Sequence, residues 1–178
     1  MIKIYLDMDS VICDFMKHYH MIEPKVDTPK KFHTMVMEHQ IFEKLDWMPN
    51  GEKLIALLNQ LGHPVEILSS LGTHTELIAS HARRQKEFWL LSHEIHYKQN
   101  FVNTWAHKYR YASKYSLIID DRGDVCEDFI RAGGKAVVYI DHKFDEMEAE
   151  IRKVVNEMTN EWRLEQQTQD LNSSLIKT

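Results

Sequence analysis

The sequence predicts an α/β fold: a three-layer α/β/α sandwich on a parallel sheet, with a small helical cap inserted after the first strand. Three observations carry this prediction. Five short apolar runs alternate with segments of helical spacing, the pattern of successive βαβ units. Three of those runs end in acidic or hydroxyl side chains, at the strand ends where open parallel sheets bind their ligands. Between the first and second runs, residues 16–48 carry helical spacing and no strand signal.

The elements follow in order. Residues 2–6 (IKIYL) form the first strand and run into Asp7-Met8-Asp9-Ser10. In the insertion, a polar stretch over 25–31 precedes Phe32, Met35, Val36, Phe42 and Leu45, whose spacing suggests one helix. Leu54, Ile55, Leu57, Leu58 and Leu61 mark a helix over 51–61 that Gly62 stops. The second strand, 64–68 (PVEIL), ends in Ser69-Ser70. A long helix follows over 73–93, and a short strand over 100–102. The run 117–119 (LII) ends in Asp120-Asp121. Val125, Phe129 and Ile130 then mark a helix before Gly133-Gly134, a pair suited to a helix C-terminus. A strand over 136–140 and a charged, weakly amphipathic helix over 144–167 complete the chain, with a frayed end at 171–178. The expected division is a core of residues 1–15 and 49–143, a cap of residues 16–48, and a C-terminal helix and tail of residues 144–178.

Composition narrows the function classes. Hydrophobic residues make up 43% and charged residues 28% of 178, ordinary values for one globular domain. No apolar run approaches the roughly 20 residues of a membrane span, and MIKIYLDMD reads as a strand, not a signal peptide. Cys13 and Cys126 form no framework, which suits a reducing cytoplasm. The net charge of −5 argues against a stable nucleic-acid binder. Most of it lies after residue 144, so the body of the chain is nearly neutral. That balance suits a small anionic substrate held by local groups. The Trp and Met residues of the C-terminal helix leave a homodimer open.

Four carboxylates and two hydroxyls at neighbouring strand ends pose an electrostatic problem. Uncompensated, the carboxylates repel, and partly buried ones take up protons. A hard divalent cation removes that cost; Mg²⁺ is held by one or two carboxylates, water and substrate phosphate. Asp7 is then the candidate nucleophile, and Asp9, two residues on, the candidate general acid and base. Eleven histidines invite a different metal reading, but His93-Glu94-Ile95-His96 lacks a third ligand and His18 and His20 point to different helix faces.

These residues also carry a resemblance. DMDSVICDF resembles the opening motif of the haloacid dehalogenase (HAD) superfamily, a Rossmann-like fold. The Ser pair after PVEIL, a lysine upstream of the acidic pair (Lys108, with Lys98 and Lys114 as rivals) and IIDDRGD resemble its other three motifs, in order, over residues 1 to about 142. Phe15, IFEKLDWMPNGEKLIALL, KEFWLL and the DDRGD…AGG ending look most like the 5′(3′)-deoxyribonucleotidases and their short bacterial and phage relatives. The resemblance implies Asp7 as phosphorylated nucleophile and Asp9 as proton shuttle. It implies Mg²⁺ held by Asp7, the Asp9 carbonyl and the Asp120/Asp121 pair. Ser69, Lys86 and Lys108 would bind phosphate and Phe15 would line the base pocket, whereas Phe32, Phe42 and Trp47 read as cap core. Position 10 is Ser where these nucleotidases usually carry Gly, which leaves phosphate binding by its backbone intact. The activity implied is hydrolysis of (deoxy)ribonucleoside monophosphates. The rivals are a phosphatase for another small phosphoester or a nucleic-acid end, and a non-catalytic nucleotide-binding protein of the same fold.

Overall fold

A computed structural model describes residues 1–22 and 29–175. Strands β1 (Lys3–Leu6), β2 (Val65–Ser70), β3 (Lys98–Val102), β4 (Ser116–Asp120) and β5 (Lys135–Val138) fall on the five expected runs. They form one sheet in the order β3-β2-β1-β4-β5, with every neighbouring pair parallel. The chain works outward from β1 to β3, then returns to the other side of β1 for β4 and β5. The sheet therefore reverses direction between β1 and β4, where the carboxyl ends leave a crevice. Six α-helices accompany it: α1 (Phe15–Met21), α2 (Pro29–Met37), α3 (Gly51–Gln60), α4 (Glu76–Ser92), α5 (Gly123–Arg131) and α6 (Phe144–Leu175).

Alternation along the strands divides the core in two. Ile4, Leu6, Ile67, Leu117 and Ile119 face one side, packing with Leu54 and Leu58 of α3 and Ile151, Val155 and Met158 of α6. Tyr5, Leu68 and Ile118, their sequence neighbours, face the other side and meet Val125, Cys126 and Phe129 of α5. A period of two in a sheet covered on both faces gives apolar residues at every position, which is why these strands read as continuous apolar runs. Gly133, at φ +96°, ends α5 in a conformation that disfavours side chains, and the Gly134 N–H donates back to the Phe129 carbonyl at 3.0 Å.

The insertion departs from its expected form. One helix was predicted through Phe32 to Leu45; the chain instead makes α2, then a 3₁₀ turn at Ile41–Glu43. The break is at Gln40, whose left-handed backbone (φ 50°) interrupts the helical ladder. α4 begins at Glu76, not at residue 73, which leaves residues 73–75 in the loop above the sheet. α6 runs on to Leu175, past the expected limit of 167, and residues 176–178 of the expected frayed end lie outside the described residues. The first part of the polar stretch over 25–31 lies outside them too.

Candidate active site

The site grows from the end of β1. Asp7 N–H donates to the Ile119 carbonyl (3.0 Å), prolonging the β1–β4 ladder by one residue. The chain then turns sharply, with the Val11, Ile12 and Cys13 N–H groups all donating to the Met8 carbonyl. Met8 is buried, and this anchors the turn between the two acidic residues. Ser10 takes a left-handed backbone (φ 61°), costly for a residue with a side chain. Its N–H donates to the Cys13 carbonyl at 2.8 Å, so the backbone donor expected to meet phosphate is already committed inside the turn.

Two buried lysines sort the carboxylates. Lys108, on the 3₁₀ segment Trp105–Tyr111, places its Nζ 2.8 Å from Asp7 Oδ2 and 2.7 Å from Asp120 Oδ2. Burial alone would lower its pKa, but the Asp7 and Asp120 charges outweigh that and hold it above the usual lysine value. Lys86, on α4, donates to Asp9 Oδ2 at 2.6 Å and to Ser69 Oγ at 3.0 Å. The rivals Lys98 and Lys114 are exposed and paired elsewhere, with Glu66 and Glu165.

Asp7, Asp120 and Asp121 bring one carboxylate oxygen each within 4.8 Å of one another. Burial pushes the Asp120 carboxyl up to about 6, reinforced by the Asp7 charge against the pull of Lys108. Burial likewise raises Asp121 to about 7, helped by Asp7 and Asp120. Asp120 is fully buried and spends its oxygens on Lys108 and the Arg122 N–H (3.0 Å), whereas Asp121 lines the cavity. Asp7 Oδ1 is buried with no hydrogen-bond partner. A buried, unsatisfied carboxylate oxygen is costly unless a cation meets it. Fully ionised, the four carboxylates exceed the two buried ammonium groups by two negative charges, the complement of one divalent ion. The residues therefore fit a hard divalent cation held by Asp7 and Asp121 with Asp120 behind. The Asp9 side chain turns away to Lys86, leaving only its backbone for such a role.

Above the carboxylates opens a cavity of about 560 Å³. Its acidic floor is Asp7, Asp9 and Asp121, with Lys108 and Ser10 beside them. One wall is aromatic: Phe15, Tyr19, Phe32 and Phe42, with Phe15 stacked on Phe42 at 5.7 Å and 14°. Across from the insertion stand Trp105 and Arg122, the guanidinium 4.1 Å from the ring centre. The whole belongs to a familiar architecture. The chain shares the fold of HAD hydrolases. An HAD family hydrolase from Deinococcus radiodurans R1, solved with phosphate and sodium bound, superposes with a TM-score of 0.50 at 8% identity, over 88% of this chain and 96% of that one. A hydrolase from Streptococcus pneumoniae TIGR4 aligns at 12% identity and TM-score 0.45, over 86% and 97% of the two chains. No family model and no curated protein matches the sequence.

The structure also relocates several expected residues. Ser69 is fully buried with its hydroxyl on Lys86, and Ser70, one residue on, takes the cavity wall. A one-residue step along a strand reverses the side-chain direction, and the sequence does not show which hydroxyl faces the ligand. Lys86 does not reach the cavity; its ammonium lies 4.4 Å from the centre of the Phe42 ring, behind the aromatic wall. Phe32 and Phe42, read as cap core, line the cavity, whereas Trp47 packs edge-on against Trp89 at 5.0 Å. Cys13 is buried beside Asp9 with its thiol pushed well up, chiefly by burial, and so stays protonated. Tyr19, His74, Asn103, Trp105 and Arg122 were not anticipated. Four of them lie on loops or turns beyond strand ends, and that position was the one signal available.

Proposed function

We propose that this protein is a Mg²⁺-dependent phosphomonoesterase that hydrolyses (deoxy)ribonucleoside monophosphates through an aspartyl-phosphate on Asp7. The observation that carries the reading is one cavity with two unlike ends. Its floor is a carboxylate cluster short of one divalent cation, and its wall is a set of aromatic rings set to take a planar group. Phosphate and sodium in the Deinococcus relative support the phosphate end of this reading.

Lys108 grips Asp7 Oδ2, so Oδ1, the oxygen that faces the cation site and has no hydrogen-bond partner, is the one left to attack. Attack by Oδ1 on phosphorus forms the new P–O bond as the ester oxygen leaves. Burial raises the Asp9 pKa, partly offset by Lys86, and the Asp7 charge raises it further, a direction that suits Asp9 to pass a proton to that leaving oxygen. The same carboxylate, once deprotonated, takes a proton from the water that opens the aspartyl-phosphate and releases Asp7. When bound, Mg²⁺ neutralises phosphate charge over the cluster. Lys86 fixes the Asp9 rotamer, and Arg122 and Ser70 stand at the rim where phosphate oxygens arrive.

Phosphate release from a panel of nucleoside monophosphates and sugar phosphates, with Mg²⁺ and with chelator, tests this. Turnover of nucleotides that chelation abolishes is expected. Turnover of sugar phosphates with none of the nucleotides would overturn the substrate assignment.

A further inference from the structure

A second cavity of about 480 Å³ adjoins the first, and His74 and Asn103 belong to the walls of both. It lies at the carboxyl edge of β2 and β3, where the Leu71 N–H donates to the Val102 carbonyl (2.8 Å), so the two following loops leave the sheet side by side. Its far side is the first two turns of α4, where Ala79 and Ser80 are too small to fill it and Arg83 closes it. The exposed Arg83 guanidinium lies over the Phe101 ring, its carbon 5.1 Å from the ring centre. Among the described residues it makes no ion pair, as is also true of Arg84, Arg110 and Arg163, but of these four it is the one on the groove wall. A guanidinium beside a ring and outside any ion pair keeps N–H donors available, which suits bidentate capture of an oxyanion.

We propose that this groove is a subsite for a second anionic group, a second phosphate, on the substrate whose first phosphate reacts at Asp7. The inference rests on the phosphatase reading above and extends its substrate class from nucleoside monophosphates to nucleoside bisphosphates, which it makes the preferred ones. The substrate crosses between the two cavities past His74 and Asn103, both able to donate to phosphate oxygens. Arg83 receives the distal phosphate. Glu76, also on the groove wall, opposes the anion and keeps its binding weak enough for release.

Steady-state phosphate release with Mg²⁺ tests this on three substrates: a deoxynucleoside 5′-monophosphate, its 3′,5′-bisphosphate, and its 3′-O-methyl 5′-monophosphate. Wild type should favour the bisphosphate in kcat/KM by roughly tenfold, the scale of one charge-assisted contact at an open site. Arg83→Gln should abolish that preference and leave the monophosphate rate unchanged, and Glu76→Gln should widen it. Equal kcat/KM for all three substrates in wild type overturns the subsite and leaves the phosphatase reading standing. So does an Arg83→Gln variant that slows every substrate alike. If wild type turns over no nucleotide, the phosphatase reading fails by itself. Calorimetry then decides the subsite: tighter binding of the bisphosphate that Arg83→Gln removes supports it, and equal affinities overturn it.

Discussion

Asp7 and Asp9 leave the same turn but meet different lysines, and the proposed mechanism rests on that difference. Asp7 shares Lys108 with Asp120 and keeps one oxygen open, whereas Asp9 is tied to Lys86, whose ammonium also donates to Ser69. Replacing Asp9 by Asn removes proton transfer and leaves the nucleophile, so kcat should fall by roughly 10²–10⁴. Asp7→Asn should abolish turnover and any acid-stable phosphoenzyme trapped on rapid quenching; turnover like wild type would refute the nucleophile. Lys108→Met strips from two buried carboxylates the one ammonium that pairs with them among the described residues. Without a divalent ion it should cost about 3–5 kcal/mol in urea unfolding. Added Mg²⁺ should recover part of that loss. The carboxylates were legible in the sequence because each ends an apolar run, a local signal. Lys86 and Lys108 were named there as phosphate-binding residues, but which acid each would meet was not legible, since Lys86 lies 77 residues from Asp9, and Lys108 lies 12 from Asp120 and far along the chain from Asp7.

At the scale of elements, the question is what holds the aromatic wall over the carboxylates. Gln85 and Trp89 of α4 do much of it: Gln85 Nε2 donates to the Val36 carbonyl (2.7 Å), its Oε1 accepts from Phe42 N–H (3.3 Å), and Trp89 Nε1 donates to the Leu45 carbonyl (2.8 Å). All three bonds run from a core helix to the insertion, and Gln85 is buried. Gln85→Leu leaves two backbone groups unsatisfied and should cost roughly 1–3 kcal/mol of stability. It should also raise KM more than it lowers kcat, because Phe42 shifts while the acids stay in place. A kcat loss with unchanged KM would contradict this account of the wall. Gly72 makes the second contact. At φ +71° it lies so close to Phe32 that an added Cβ would sit 2.7 Å from the ring. Gly72→Ala should therefore displace Phe32 and weaken nucleotide binding in calorimetry, with the Asp7 site untouched. None of this was legible beforehand. Apolar spacing showed that Phe32 and Phe42 face inward, but a cap residue has two insides, the cap's own core and the cavity. Only the docking of the insertion on α4 chooses between them.

For the whole molecule, the uncompensated acids make stability depend on pH and metal together. Asp120 and Asp121 titrate near 6 and 7 in the fold, above the ordinary carboxylate range. Between about pH 5 and 7 the folded chain therefore binds more protons at these groups than the unfolded chain, and their contribution to stability falls as pH rises through that window. In chelator, the melting temperature should drop from pH 5 to pH 8. A divalent cation at about 100 times its Kd adds about 2.7 kcal/mol, roughly 5–11 °C for a chain of this size. The gain should be largest at the high-pH end, and a Mg²⁺ response equal at pH 5 and pH 8 would argue against the cluster as its site. Among the described residues no helix is long and apolar enough to cross a membrane. By itself the sequence determined the order of strands and helices, the parallel sheet and the acidic strand ends, because these follow from local periodicity and from where apolar runs stop. The tertiary structure alone decided which hydroxyl faces the ligand, which lysine meets which acid, and which phenylalanines form the wall. Each of those depends on the phase of one element against another distant in sequence, and no local pattern encodes that phase. Asp7 was visible from nine residues; the unpartnered oxygen behind its proposed role became visible only once Lys108 had taken the other.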